Sequence, residues 1–218
     1  LGTTVDMTRA RAWLGAENAR RPVTDRLLRE ERLIKATALA LREVPELNGT
    51  FQSGAFTPSA RVNLGVAITA KGGLVAPAIP DADQLALPEL MRKLLDLVAR
   101  VRSGGLKSSE LSDATVTVTN LGDLGAQTVL GVIYRPQVAI VGLGKVLERP
   151  WAISGRVEVR PVVSASLSAD HRVSDGHRGG RWIFEGRIRN DHFGWVRVDQ
   201  AGQIGARDVL LALGLGQQ

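Results

Sequence analysis

The sequence contains no cysteine. Within these residues that excludes a disulfide framework, a thiolate nucleophile and a cysteine-ligated metal, so any nucleophilic sulfur must belong to a substrate. Aromatic residues make up only 4% of the chain against 44% hydrophobic residues. A core therefore has to be built from Val, Leu, Ile and Ala, a composition that suits strands and helices packed in layers. No apolar run approaches the roughly 18 residues that a membrane-spanning helix requires, and Leu1-Gly2-Thr3 has neither the basic nor the apolar part of a secretory signal. The expectation is a soluble intracellular protein. Long tracts of one charge are missing too. Lys and Arg number 28 against 22 Asp and Glu, a net +6, but Arg9, Arg11, Arg29, Arg32, Arg92, Arg100 and Arg102 are scattered, with no set of aromatic side chains among them. A single-strand nucleic-acid surface combines the two. The basic residues therefore read as solvated surface, and neither nucleic acid nor a membrane is expected as a partner.

What is present divides into recognisable elements. Residues 6–19 carry helix formers and stop near Arg21-Pro22, where proline disfavours continuation. Thr24 offers a hydroxyl cap for a second helix with Leu27, Leu28, Ile34, Ala38 and Leu41 at helical spacing, ending before Pro45. Val62 to Ile68 reads as a strand, Lys71-Gly72-Gly73 as a turn and Leu74 to Ile79 as the returning strand. From Pro88 to Arg102, Leu90, Met91, Leu94, Leu95, Leu97, Val98 and Val101 form the clearest helical stripe, stopped by Ser103-Gly104-Gly105. Strands are expected at Thr115 to Thr119, Gln137 to Leu147 and Arg156 to Ser168, with Ser154-Gly155 as a turn. The fold class is α/β, one domain with a substantial mixed sheet and no repeat or linker before about residue 187.

The chemistry concentrates in Asp170-His171-Arg172-Val173-Ser174-Asp175-Gly176, which follows an alternating strand pattern. A histidine at a strand end titrates near neutrality and can accept a thiol proton, and a carboxylate four residues later can organise the loop around it. The same residues also fit a surface loop with Asp175 as a helix cap. The string alone leaves both readings open.

Several blocks in order narrow the choice. They are Leu33-Ile34-Lys35-Ala36 through Pro45-Glu46-Leu47-Asn48, Asn63-Leu64-Gly65-Val66-Ala67 through Gly73-Leu74-Val75-Ala76-Pro77, Thr117-Val118-Thr119-Asn120-Leu121-Gly122, and Pro136 to Gly142. Together with DHRVSDG, they resemble the catalytic core of the dihydrolipoamide acyltransferases of 2-oxoacid dehydrogenase complexes over about residues 3–186. The resemblance implies a chloramphenicol-acetyltransferase-like mixed sheet packed with helices, forming trimers with active sites between subunits. It implies His171 as general base on the thiol of coenzyme A or dihydrolipoamide, Thr119 as the hydroxyl donor to the oxyanion, and Asp175 as an organiser acting through an ion pair, with Arg172 a candidate partner. His177 and His192 match no functional position. Coenzyme A is implied as a substrate, with the lipoyl group carried on a separate domain and no metal. The implied partners are two further copies in a homotrimer, a larger cubic core, lipoyl domains, and the decarboxylase and dihydrolipoamide dehydrogenase components.

Departures from the family pattern lie at the two ends. The family's first helix is expected to be absent before Val5-Asp6-Met7-Thr8. Residues 1–186 form the expected catalytic domain, with Gly179-Gly180 making its closing helix irregular. Residues 187–218 are a segment of uncertain structure, in which Trp195 to Val198 suggests a strand and Val209 to Leu213 a helix. Two competing functions are a non-catalytic assembly core and a same-fold acetyltransferase with a small alcohol or amine acceptor. The joint presence of His171 and Thr119 favours an enzyme over a scaffold. The excess of Arg over Lys, with abundant Ala and Gly, points to a GC-rich bacterium and its cytoplasm, or to the mitochondrial matrix for a eukaryotic source.

Overall fold

A computed structural model describes residues 1–27, 29–176 and 179; the expectations for Gly180, Trp195 to Val198 and Val209 to Leu213 lie outside those residues. The chain enters through β1 (Gly2–Asp6), α1 (Thr8–Ala19) and α2 (Arg29–Glu43), then a hairpin of β2 (Gly49–Gln52) and β3 (Ala55–Pro58). Next come β4 (Leu64–Val66), β5 (Ile68–Ala70), β6 (Gly73–Val75) and β7 (Ala78–Ile79), followed by α3 (Leu87–Ser103) and α4 (Ser108–Ser112). The remaining strands are β8 (Val116–Asn120), β9 (Ala139–Leu143), β10 (Leu147–Ile153) and β11 (Arg156–Ala169).

α3 shows why the apolar stripe predicts a helix. Pro88 occupies its first turn, Glu89 lies near its N-terminus, Arg100 and Arg102 near its C-terminus, and Gly104 terminates it at φ 79°, each where the exposed helix ends favour it. Leu87, Leu90, Leu94, Leu97 and Val101 are buried, while Leu95 is exposed because it stands off that stripe. α2 begins at Arg29 rather than beside Thr24, since Val23–Asp25 forms a separate 3₁₀ turn. Its buried Lys35 donates from Nζ to the carbonyls of Asp83 and Leu85, both at 2.7 Å, and of Ala82 at 3.3 Å. Burial pushes that ammonium down to about 8, so at neutral pH it keeps its protons and ties α2 to the loop before α3.

The main sheet runs β1-β11-β9-β8-β4-β7, with β10 also paired to β11. The strand expected at Val62 to Ile68 and its return are one bent hairpin, paired in the main sheet as β4 and β7 and turning away from it as β5 and β6. The strand expected at Gln137 to Leu147 stops as β9 at Leu143, and a separate strand, β10, begins where it was to end. β1, the β2–β3 hairpin and α4 were not anticipated either. All are short, and β2–β3 owes its form to Ser53 and Gly54, both at positive φ, the backbone of a two-residue hairpin turn.

The two faces of the sheet differ in chemistry. Val116, Val118, Ala139, Val141, Leu143, Val163 and Leu167 join the buried cluster that also holds Ile34, Leu41, Leu90 and Leu97 of the helices. The alternate residues present Thr117, Thr119, Gly142 and Ser166 to the other face, which the connection from β8 to β9 crosses. Thr117 Oγ1 donates to Gln137 Oε1 at 2.7 Å, Ser166 Oγ donates to the Val129 carbonyl, and Lys145 N–H donates to the Ala126 carbonyl at 2.7 Å. Glycine permits that approach: a Cβ at Gly142 would stand 2.5 Å from the Val129 oxygen, and one at Gly144 would overlap the Gln127 carbonyl.

Two alanine substitutions should therefore have opposite signs. Gly144→Ala is expected to lower stability by about 1–3 kcal/mol through overpacking. Gly15→Ala, in α1 where an added Cβ meets nothing within 4 Å, should raise it by up to about 1 kcal/mol. Thermal unfolding of both variants at matched concentration checks the pair; equal shifts would contradict the close approach at Gly144.

Candidate active site

Thr119 occupies the fourth position of β8, with 7% of its surface exposed. It lies opposite Gly142 of β9, which in turn lies opposite Ser166 of β11. The side chain thus emerges on the polar face beside a residue without a side chain. Among the described residues no hydrogen bond engages the Thr119 hydroxyl.

His171 belongs to the turn that ends β11. Asp170 N–H donates to the Val138 carbonyl at 2.8 Å, and the Asp170 carbonyl accepts from Val173 N–H at 2.9 Å and Ser174 N–H at 3.0 Å. The Asp170 carboxylate accepts from Arg172 N–H at 3.0 Å, from Arg172 Nε at 2.9 Å and from Arg172 Nη2 at 2.6 Å. His171 is exposed between these two chelated neighbours. The Arg172 guanidinium, expected beside Asp175, is thus held by a different carboxylate. It also lies over the Phe51 ring, with Cζ 4.0 Å from the ring centroid. Hydrogen bonding from Arg172, reinforced by the charges of Arg172 and Arg135, holds the Asp170 carboxyl at about 2.

Asp175 is exposed, and its carbonyl accepts from Gly179 N–H at 2.9 Å, so it marks the N-terminal boundary of a helical turn. Ser174 beside it is buried, and among the described residues its Oγ has no hydrogen-bond partner. Asp170 and Phe51 had not been singled out from the sequence. The aspartate could have been, since a carboxylate and an arginine flank His171, but Phe51 is distant in sequence and only packing reveals it. Among the described residues no group of three His, Asp or Glu stands together to hold a metal, and no helix is long and apolar enough to cross a membrane.

Within one chain the structure does not bring Thr119 and His171 together. β11 runs antiparallel to β9, and β8 runs parallel to it. Ala169 at the end of β11 pairs with Ala139, at the opposite end of β9 from Gly142 and Thr119. Three residues along the strands and two strand spacings across place Ala169 about 14 Å from Thr119, and His171 lies two residues further on.

Residues 1–187 match the family model described as 2-oxoacid dehydrogenases acyltransferase (catalytic domain), and the chain belongs to that family. It is 33% identical over 155 residues to the dihydrolipoyllysine-residue acetyltransferase component of the pyruvate dehydrogenase complex of Mycoplasma capricolum, covering 70% of this chain and 35% of that protein. The chain thus spans about a third of that relative's length. Two solved structures each superpose with a TM-score of 0.78 at 30% identity, covering 84% of this chain and 76% of theirs. One is the cubic core of the pyruvate dehydrogenase multienzyme complex, the other the dihydrolipoamide acetyltransferase of Azotobacter vinelandii. Chloramphenicol acetyltransferase, at 16% identity, a TM-score of 0.55 and coverage of 84% and 83%, shares the fold.

Because the folded-state carboxyl of Asp170 is depressed, its contribution to stability is present above about pH 4 and fades as pH falls through about 2. Carbon NMR titration of that carboxyl should give a midpoint near 2, moving back toward the model-compound value of 3.8 in Arg172→Leu. An unchanged midpoint in the variant would remove Arg172 as the cause.

Proposed function

We propose that this chain is the catalytic core of a dihydrolipoamide acyltransferase, exchanging an acyl group between coenzyme A and a lipoyl arm carried on a separate domain. His171 and Thr119 act in one site from two copies of the chain. The observation that carries the reading is their placement: two side chains, unengaged among the described residues, at opposite ends of one sheet, when catalysis requires both within hydrogen-bonding reach of one reacting centre. A neighbouring copy removes the separation. The Azotobacter vinelandii enzyme adds support, because the serine, histidine and asparagine studied in its catalytic mechanism are separated by the same two intervals as Thr119, His171 and Asp175.

His171 takes the thiol proton of coenzyme A as the sulfur attacks the acyl-dihydrolipoamide carbonyl carbon. Thr119 donates its O–H to the oxyanion that forms. Collapse of the tetrahedral intermediate breaks the bond to the lipoyl sulfur, and the protonated His171 returns its proton to that departing thiolate. The reverse direction exchanges the two thiols. Asp175 organises the helical turn after the histidine and moves no proton.

The copies form a homotrimer. Leu130, Val132 and Tyr134, exposed to 76%, 88% and 57%, alternate along the connection over the polar face and supply an apolar row for a neighbouring copy. Trimers assemble further into a cubic core, served by lipoyl domains and by the decarboxylase and dihydrolipoamide dehydrogenase components in a bacterial cytoplasm.

His171→Ala should keep the fold and lose acyl transfer by roughly 100- to 10,000-fold; activity near wild type with either thiol would reject the base. Equal mixing of His171→Ala and Thr119→Ala subunits should restore about one site in four, since a site between copies can draw its intact residue from each parent. No recovery would place both residues in one chain's site.

Thr119→Ser should be tolerated. Thr119→Val, which keeps the branched volume without the hydroxyl, should lower kcat and kcat/KM together by roughly 10- to 1,000-fold. Equal rates with chemistry limiting would make Thr119 a packing residue only. Running wild type against dihydrolipoamide, chloramphenicol and small amines separates this activity from that of a same-fold acetyltransferase.

A further inference from the structure

We infer that Phe51 of the β2–β3 hairpin is a positioning residue for His171, acting through Arg172; the inference rests on the assignment of His171 as the general base. Among the described residues the hairpin pairs with no strand of the main sheet, and two strands alone are marginal in water. It is seated against the segment beside the catalytic turn. Phe51 N–H donates to the Pro136 carbonyl at 2.8 Å, and Thr50 bridges to Gln137. The next residue, Val138, accepts the hydrogen bond from Asp170 N–H. The backbone of the hairpin and the backbone of the turn therefore grip the same short segment, from Pro136 to Val138.

The side chains close the ring from the other side. Arg172 donates from Nε and Nη2 to the Asp170 carboxylate while its Cζ stands over the Phe51 ring, 4.0 Å from the centroid. A planar, delocalised cation can make both contacts at once, whereas an ammonium lacks the face and the fork. His171 is the single residue between Asp170 and Arg172. Its backbone direction is set by that chelate, and the chelate is set against the hairpin by the Phe51 ring. A base displaced by about 1 Å loses much of its advantage, so the ring has a catalytic consequence without touching substrate.

Phe51→Leu keeps an apolar side chain and removes the π face. In the assembled wild-type complex and the variant, kcat should fall by about three- to tenfold with KM for coenzyme A and dihydrolipoamide within twofold, and Phe51→Tyr should restore it. Phe51→Leu should produce no further loss on top of Arg172→Lys, because the two act as one unit, nor on top of His171→Ala, because the base they orient is gone. Should Phe51→Leu impair folding, Arg172→Lys alone must show the same drop in kcat at unchanged KM. If His171→Ala is inactive while Phe51→Leu turns over like wild type, the positioning role is overturned and the base assignment stands. Additive losses in the double variants would equally overturn it. If His171→Ala is active, the base assignment itself fails.

Discussion

The register of β8, β9 and β11 governs where Thr119 and His171 stand in this protein. β8 and β9 are parallel, so Thr119 and Gly142 lie at the same end of the sheet. β11 is antiparallel to β9, so its C-terminal exit, and His171 with it, lies at the other end. A hydrogen-bonded ladder cannot slip by a few residues without turning its apolar side chains out of the core, and Val116, Val118, Val141 and Leu167 are all but completely buried. The separation of the two side chains is therefore as rigid as the core. On the reading proposed here, oligomerisation is a chemical requirement, because no local motion of a turn could bring His171 back across the sheet.

The same alternation makes the second face of the sheet unusual. One face is aliphatic and meets α2 and α3; the other carries hydroxyls and glycine beside a single isoleucine, Ile140, under a connection whose backbone lies directly on the strands. Glycine at positions 142 and 144 trades side-chain packing for backbone approach, and the hydroxyls of Thr117 and Ser166 satisfy groups of that connection. Buried polar groups need such partners. Having turned its Val129 side chain inward, the connection presents Leu130, Val132 and Tyr134 outward, an apolar row that favours being covered.

Around His171, order comes from charge and hydrogen bonds rather than aliphatic packing. Asp170 accepts from its own turn through its carbonyl and from Arg172 through its carboxylate, leaving the histidine ring exposed. A rigid backbone holding an exposed side chain suits the general base proposed at this position.

Periodicity in the sequence was sufficient for α3, for the bent hairpin around Gly72-Gly73 and for the long strand ending at Ala169, because a continuous apolar stripe or alternation is a local property of the chain. The string from Asp170 to Gly176 and the block around Thr119 likewise made the candidate catalytic residues legible one by one. Shorter elements were not legible: β1, β2, β3 and α4 are each five residues or fewer, too short for a period to stand out, and they form because neighbours complete them. The sequence also suggested Arg172 as a partner for Asp175, whereas the turn wraps it onto Asp170, two residues away and within reach of a local reading. Only the tertiary structure could decide the seating of Arg172 over Phe51 and the placing of Thr119 and His171 at opposite ends of one sheet, because strand direction, register and long-range contact are relations between segments, and no segment carries them alone.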